Sequence, residues 1–162
     1  MHPIFRNIAA FLIGLVVGGI LNGLSINYLG SIFGVPDGVD PNDLESIKTN
    51  MHLYEVKHFM TPFIAHCIGS LSGAYVCSMI AAKYHLGLSL GIALIFLFGG
   101  ITMVMLLPAP IWFDALDLSV AYFPMAYLGW MLAGRKKYVE DNVLTNVLKR
   151  SIILEINMKA GR

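Results

Sequence analysis

Residues 86–107 read LGLSLGIALIFLFGGITMVMLL, twenty-two positions without one charged side chain. As a helix at 1.5 Å per residue this run is about 33 Å long, enough to cross a hydrocarbon layer about 30 Å thick. Three other stretches match it in length and apolar character: Ile8 to Leu29, Thr61 to Ala82, and Trp112 to Leu132. An all-α membrane protein is therefore expected. Only Lys83-Tyr84-His85 separates the second span from the third, and Pro108-Ala109-Pro110 the third from the fourth. Connections that short make sequential helices antiparallel neighbours, which predicts an up-down four-helix transmembrane bundle.

Composition agrees. Of 162 residues 57% are hydrophobic and 13% charged, against about 25% charged in ordinary soluble chains. A formal net charge of +1 gives no footprint for nucleic acid; the charges are informative through their segregation. Arg6, Lys83, Arg135, Lys136, Lys137, Lys149, Arg150, Lys159 and Arg162 fall on one side of the four spans. Lys48 and Lys57 fall on the other with seven acids: Asp37, Asp40, Asp43, Glu45, Glu55, Asp114 and Asp117. The positive-inside rule then puts both termini in the cytoplasm. The first span is too long for a signal-peptide core and lacks a small-x-small cleavage site before the acidic loop, so it is expected to be retained. Cys67 and Cys77 lie about 15 Å apart along one helix, too far to bridge each other.

Residues 1–137 form the four-span domain in this reading, with 138–162 as a cytoplasmic amphipathic tail carrying Val139, Val143, Leu144, Val147 and Leu148 at helical spacing. Gly14, Gly18, Gly19 and Gly23 make two overlapping G-x-x-x-G patterns, the spacing that lets a neighbouring helix approach closely. After a turn at Pro36-Asp37-Gly38, Asp40 as N-cap and Pro41 at the first helical position predict an outer amphipathic helix over about 41–58. Its apolar face carries Leu44, Ile47, Met51, Tyr54 and His58; its polar face carries Glu45, Lys48, His52 and Glu55. Thr61-Pro62 is the predicted start of the second span, and Pro124 is expected to kink the fourth. Trp112 and Tyr28 on the outer side, with Trp130 and Tyr84 on the inner side, suit the aromatic belts of a membrane interface.

Chemistry concentrates in one layer. His52, Glu55 and His58 are weak candidates for a metal, because steps of three residues fan them over about 120° of a helix. Ordinary i,i+3 pairing on a solvated face is the favoured explanation of His52 and Glu55. His58 and His66 differ, since an ionisable side chain within a span is costly unless it pairs or lines a wet cavity. His66 has two readings: a structural one, bonded across to Asn22 or Ser25, and a functional one. Asp114 and Asp117 are explained by helix capping or by ligand binding. What favours a site is convergence: an N-in topology brings Asn22, His58, His66, Asp114 and Asp117 to one depth in the outer third of the bilayer. No pattern assigns a cofactor. Cys67 is rotated about 100° from His66, and Ser70, four residues after it, reads as interhelical glue rather than as a nucleophile.

The run from His58 through Thr61-Pro62 to His66, followed by Gly69 and Gly73, resembles a family of small bacterial integral membrane proteins that carries no assigned activity. The segments Leu107 to Asp117 and Tyr122-Phe123-Pro124 share that resemblance. It covers residues 1–134 and implies the four-span layout and a bacterial inner membrane, with no catalytic residue to carry over. Lipoprotein signal peptidases are disfavoured because their asparagine and arginine motifs are missing around Asp114 and Asp117. Quinone-linked disulfide oxidases are disfavoured because no outer-side cysteine pair is present. The expected function is a non-enzymatic polytopic protein whose outer polar layer binds a small ligand or ion, or supports a homo-oligomer or larger membrane complex. Two alternatives stand beside it: an enzyme using His66 or His58 with Asp117, and a small transporter or channel subunit.

Overall fold

The computed structural model describes residues 2–134, and every regular element among them is helical. In chain order these are α1 (Pro3–Phe33), α2 (Leu44–Thr49), a 3₁₀ turn (Met51–Leu53), α3 (Val56–Ile80), α4 (His85–Leu106), α5 (Ile111–Val120) and α6, residues 123–134. Four segments are long and apolar enough to cross a membrane: α1, α3, α4, and α5 with α6 taken together. The cytoplasmic tail expected at 138–162 lies outside the described residues.

Local chemistry sets the helix ends. Pro3 occupies the first turn of α1, where a missing N–H costs nothing. Gly34 ends that helix at φ +69°, its N–H bonded to Gly30 O at 2.9 Å. The turn at Pro36-Asp37-Gly38 forms as expected, closed by Val39 N–H to Pro36 O at 3.1 Å with Gly38 at φ +83°.

The segment between α1 and α3 departs from the single helix expected over 41–58. Asp40 accepts from Asn42 N–H at 2.9 Å and donates its own N–H to Ser46 Oγ, so it closes a local turn instead of capping a helix. Asp43 is the cap, accepting from Glu45 N–H at 3.1 Å, and the helix runs only to Thr49. The start of the second span also moves. Glu55 caps α3, with His58 Nδ1 accepting the Glu55 N–H at 2.9 Å in a capping box. Thr61-Pro62 therefore lies inside the helix, where Pro62 removes one backbone bond near its start. Pro124 acts as expected: it cannot donate to Val120 O, and the fourth segment is interrupted at Ala121–Tyr122.

Small residues make the packing. α1 and α3 run antiparallel in close contact, Gly14 against Gly73 and Gly18 against Gly69; a Cβ on Gly14 would stand 2.7 Å from Gly73 O. On the other side of α3, Gly129 of α6 lies against the backbone of Leu71 and Tyr75. α4 joins through Ser89, whose hydroxyl meets Ser78 Oγ at 2.8 Å and donates to Ala74 O at 3.2 Å. At the far end of α3, Arg6 Nε donates to Ile80 O at 2.6 Å, and Asn7 Oδ1 accepts from Ala82 and Lys83 N–H. These bonds satisfy backbone groups that a helix end leaves free.

The distribution of polarity is inverted relative to a water-soluble protein. Ile4, Ile8, Leu12, Val16, Ile20 and Leu24 form a stripe along α1, each more than half exposed. Asp117, Ser70, Ser78 and Ser89 are buried, in a core built mostly of alanine, glycine and serine. Backbone proximity and interhelical hydrogen bonds suit contacts made without an aqueous hydrophobic drive.

Candidate functional site

Asp117 is the one buried residue of α5. Across from it, on α3, His66 places Nδ1 at 2.9 Å from Asp117 Oδ1 and 3.0 Å from Oδ2. Tyr122, in the break between α5 and α6, donates its hydroxyl to Asp117 Oδ2 at 2.9 Å, and its Oη stands 3.1 Å from His66 Nδ1. The tyrosine ring is buried and tilted against the imidazole at 5.6 Å between centroids. Space for its hydroxyl comes from α4, where Gly100 has no side chain: a Cβ there would collide with Tyr122 Oη and Cζ. Three helices and one helix break thus converge on a single carboxylate.

The geometry fixes a tautomer. With Nδ1 facing both carboxylate oxygens, the proton sits on Nδ1 and donates to Asp117. That leaves Nε2 as the free position of the ring. No hydrogen bond among the described residues engages it, and His66 lines a cavity of about 850 Å³. Such a volume lies in the range of small-molecule pockets.

The cavity lies between α1, α3, α4 and α5, covered by the segment from Val35 to Tyr54. Asn22, His58, His66, Asp114 and Asp117 all line it. So do Leu44, Ile47, Met51 and Tyr54, which occupy its cover although the helix expected to carry them is broken. His66 does not bond Asn22 or Ser25: its partners are Asp117 and Tyr122. Asn22 packs instead against Gly69, whose Cβ would stand 2.9 Å from that of Asn22. His58 is buried, its Nδ1 committed to the Glu55 N–H and its ring edge-on to Tyr54 at 5.5 Å.

The weak metal candidates separate. His52 and Glu55 are exposed while His58 turns inward, and Glu55 pairs with Lys57 at 3.0 Å. The Lys57 ammonium beside Glu55 holds that carboxyl below its usual range, first through the hydrogen bond and then through charge. Tyr54 shifts the other way, its phenol pushed up by burial. Among the described residues no group of three His, Cys, Asp or Glu side chains is placed to hold a metal ion.

Asp114 is in the first turn of α5 and does not cap it; Pro110 occupies that position. Asp114 Oδ1 and Thr61 Oγ1 are buried without hydrogen-bond partners, and both residues line the cavity. Ser70 Oγ is likewise buried and unpartnered, but it lies outside the cavity and makes no interhelical bond. Sequence reasoning missed Tyr122, Thr61 and Gly100. On a regular helix Tyr122 would be about 140° from Asp117, so periodicity separated them; Pro124 was the one signal that the register changes between them. No family model, curated protein or solved structure matches the chain, so the site rests on its own geometry.

Proposed function

We propose that this chain is a polytopic protein of a bacterial inner membrane, an up-down four-helix bundle with both termini in the cytoplasm. Its outer half holds a small-ligand pocket under the Val35–Tyr54 cover. The observation that carries this reading is the state of His66: held by Asp117 in one tautomer, with Nε2 unpartnered at the wall of a cavity of about 850 Å³. The stripe of exposed aliphatic side chains along α1 supports lipid contact. Arg6 and Lys83 meet at one end of the helices and the acidic segment lies at the other, which supports the orientation.

Binding is favoured over catalysis by what surrounds the imidazole. Cys67 and Ser70 neighbour His66 in sequence, yet neither lines the cavity, so no thiol or serine hydroxyl from those positions is offered to Nε2. A second reading has one specific support: a histidine oriented by a carboxylate, with its distal nitrogen free, is the arrangement of a general base. His66 would then act on a bound water or substrate with Asp117 as its orienting group.

The pocket reading is tested by extracting the protein with its surrounding lipid and analysing the small molecules that accompany it by mass spectrometry. Gly99 lines the cavity, and a Cβ there meets nothing within 4 Å, so Gly99→Leu adds bulk at the cavity wall with no clash at its Cβ. A species present at near-equimolar level with the parent chain and lost in Gly99→Leu is expected. Identical extracts from the two would reject the reading. Orientation is checked separately in a chain freed of Cys67 and Cys77: a membrane-impermeant thiol reagent on intact cells should label Asp43→Cys and spare Lys83→Cys.

A further inference from the structure

The cavity wall is unbalanced in charge. Its polar lining includes two carboxylates, Asp114 and Asp117, and two imidazoles, His58 and His66, with no lysine or arginine among the described residues. His58 Nδ1 accepts the Glu55 N–H, which makes that ring neutral. His66 can carry a positive charge only while balancing Asp117, its partner at 2.9 Å. Asp114 is then left uncompensated. Lys57, in the first turn of α3, is exposed and paired with Glu55.

Hydrogen bonding is unbalanced in the same direction. Asp114 Oδ1 has no donor, and the Thr61 hydroxyl, on a residue only 8% exposed, has no partner. Buried polar atoms are seldom left so without an occupant to satisfy them. Phe59 is tilted against Phe113 at 4.9 Å and edge-on to Trp112 at 5.7 Å, which brings the start of α3 against the start of α5. Thr61 and Asp114 thus belong to the same end of the cavity, where Phe59 and Phe113 also line it. His66 Nε2 adds an acceptor deeper in. An occupant that matches this wall brings several donors and a positive charge, together with apolar surface for Ile47, Met51, Phe96 and Met103, which also line the space.

We infer that the cavity selects an organic ammonium with an apolar body, its charged head among Asp114, Thr61 and His66 and its body under the Val35–Tyr54 cover. The inference rests on the pocket reading above and adds the chemical class of the ligand. An ammonium supplies three donors and the missing charge; a neutral alcohol supplies one donor and no charge, and a carboxylate adds repulsion.

Equilibrium dialysis of the detergent-solubilised full-length protein, with protein-free micelles as blank, compares 4-phenylbutylamine, 4-phenylbutanol and 4-phenylbutyrate at pH 7. These probes share a body and differ in head group. The amine should bind about tenfold or more tightly than either of the others, the ratio expected of a charge-assisted hydrogen bond in a dry site. Asp114→Asn should reduce the amine to the level of the alcohol, and Gly99→Leu should abolish binding. The probe comparison on the unaltered chain stands alone if Asp114→Asn does not fold. Equal affinity for all three probes, lost in Gly99→Leu, overturns the cation preference while leaving the pocket intact. Binding of none, or binding that Gly99→Leu leaves unchanged, overturns both.

Discussion

The two halves of the α1–α3 contact use the same residue type to opposite ends. Around Gly14 and Gly18, glycine brings backbone against backbone, and a Cβ on Gly18 would stand 2.6 Å from Gly69 O. By contrast, Gly19, Gly23 and Gly30 on the same helix meet nothing within 4 Å, and Gly19 and Gly30 border the cavity. Five residues along a helix amount to a rotation of about 140°, so the Gly14/Gly18 and Gly19/Gly23 pairs cannot face one neighbour together. A seam holds the first half closed; past Asn22 the absence of side chains leaves space. Closeness in one half and vacancy in the other are consequences of which face the glycine occupies.

Substitution breaks this contrast most severely in the seam. Gly18→Val forces a branched side chain against the Gly69 carbonyl and the Phe96 ring, whose nearest atom is 2.8 Å from the added Cβ. A loss of about 3 kcal/mol is expected, the upper part of the range for overpacked cores. Gly19→Ala, one residue away, should stabilise by about 0.5–1 kcal/mol, since alanine is the better helix former and nothing obstructs it. Thermal unfolding of the two variants in one detergent checks the pair. A Gly18→Val protein as stable as its parent would show that the seam is not a close contact.

The polar triad comes next in size. Asp117→Ala removes the acceptor shared by His66 Nδ1 and Tyr122 Oη, leaving two donors in a buried place at a cost of about 2 kcal/mol. Asp117→Asn retains one acceptor oxygen and should recover part of that loss. Tyr122→Phe deletes only the hydroxyl that meets Asp117, for about 1 kcal/mol. In ¹⁵N spectra the imidazole of His66 should lose its fixed tautomer in Asp117→Ala and keep it in Tyr122→Phe. Tautomer exchange that is the same in both would assign the orienting role to something other than the carboxylate.

Legibility in the sequence follows the range of the interaction that decides each feature. Uninterrupted apolar runs made the four long helices visible, because length and transfer cost are local sums. Their ends were less visible: Thr61-Pro62 is a strong start signal, but the Glu55–His58 capping box begins α3 earlier and leaves Thr61 facing the cavity. Convergence of Asn22, His58, His66, Asp114 and Asp117 on one cavity could be anticipated from position along the helices alone, since helical rise orders residues along the bundle axis. Rotation about each axis was not available in that way. The bond from His66 to Asp117 instead of Asn22, and the entry of Tyr122 through the break before Pro124, depend on how separate helices are turned toward each other. Composition carries no record of that.

The smallest effect lies at the edge of the cavity cover, where the same capping box meets water. Glu55 is exposed, and its carboxyl is lowered by Lys57 at 3.0 Å. A carboxyl lowered on folding contributes stability above its ordinary pKa and loses it as pH falls through the lowered value; screening by solvent makes that contribution slight for an exposed pair. Lys57→Ala should return the Glu55 titration toward the ordinary carboxylate range in a ¹³C-detected pH series while the unfolding temperature at neutral pH stays where it was. The His58 bond to the Glu55 N–H does not involve Lys57, so the start of α3 should survive the change. A drop in stability as large as that of Tyr122→Phe would mean that the cavity cover draws its order from surface charge, and the division between the closely packed glycine seam and the loosely covered cavity end would have to be redrawn around that ion pair.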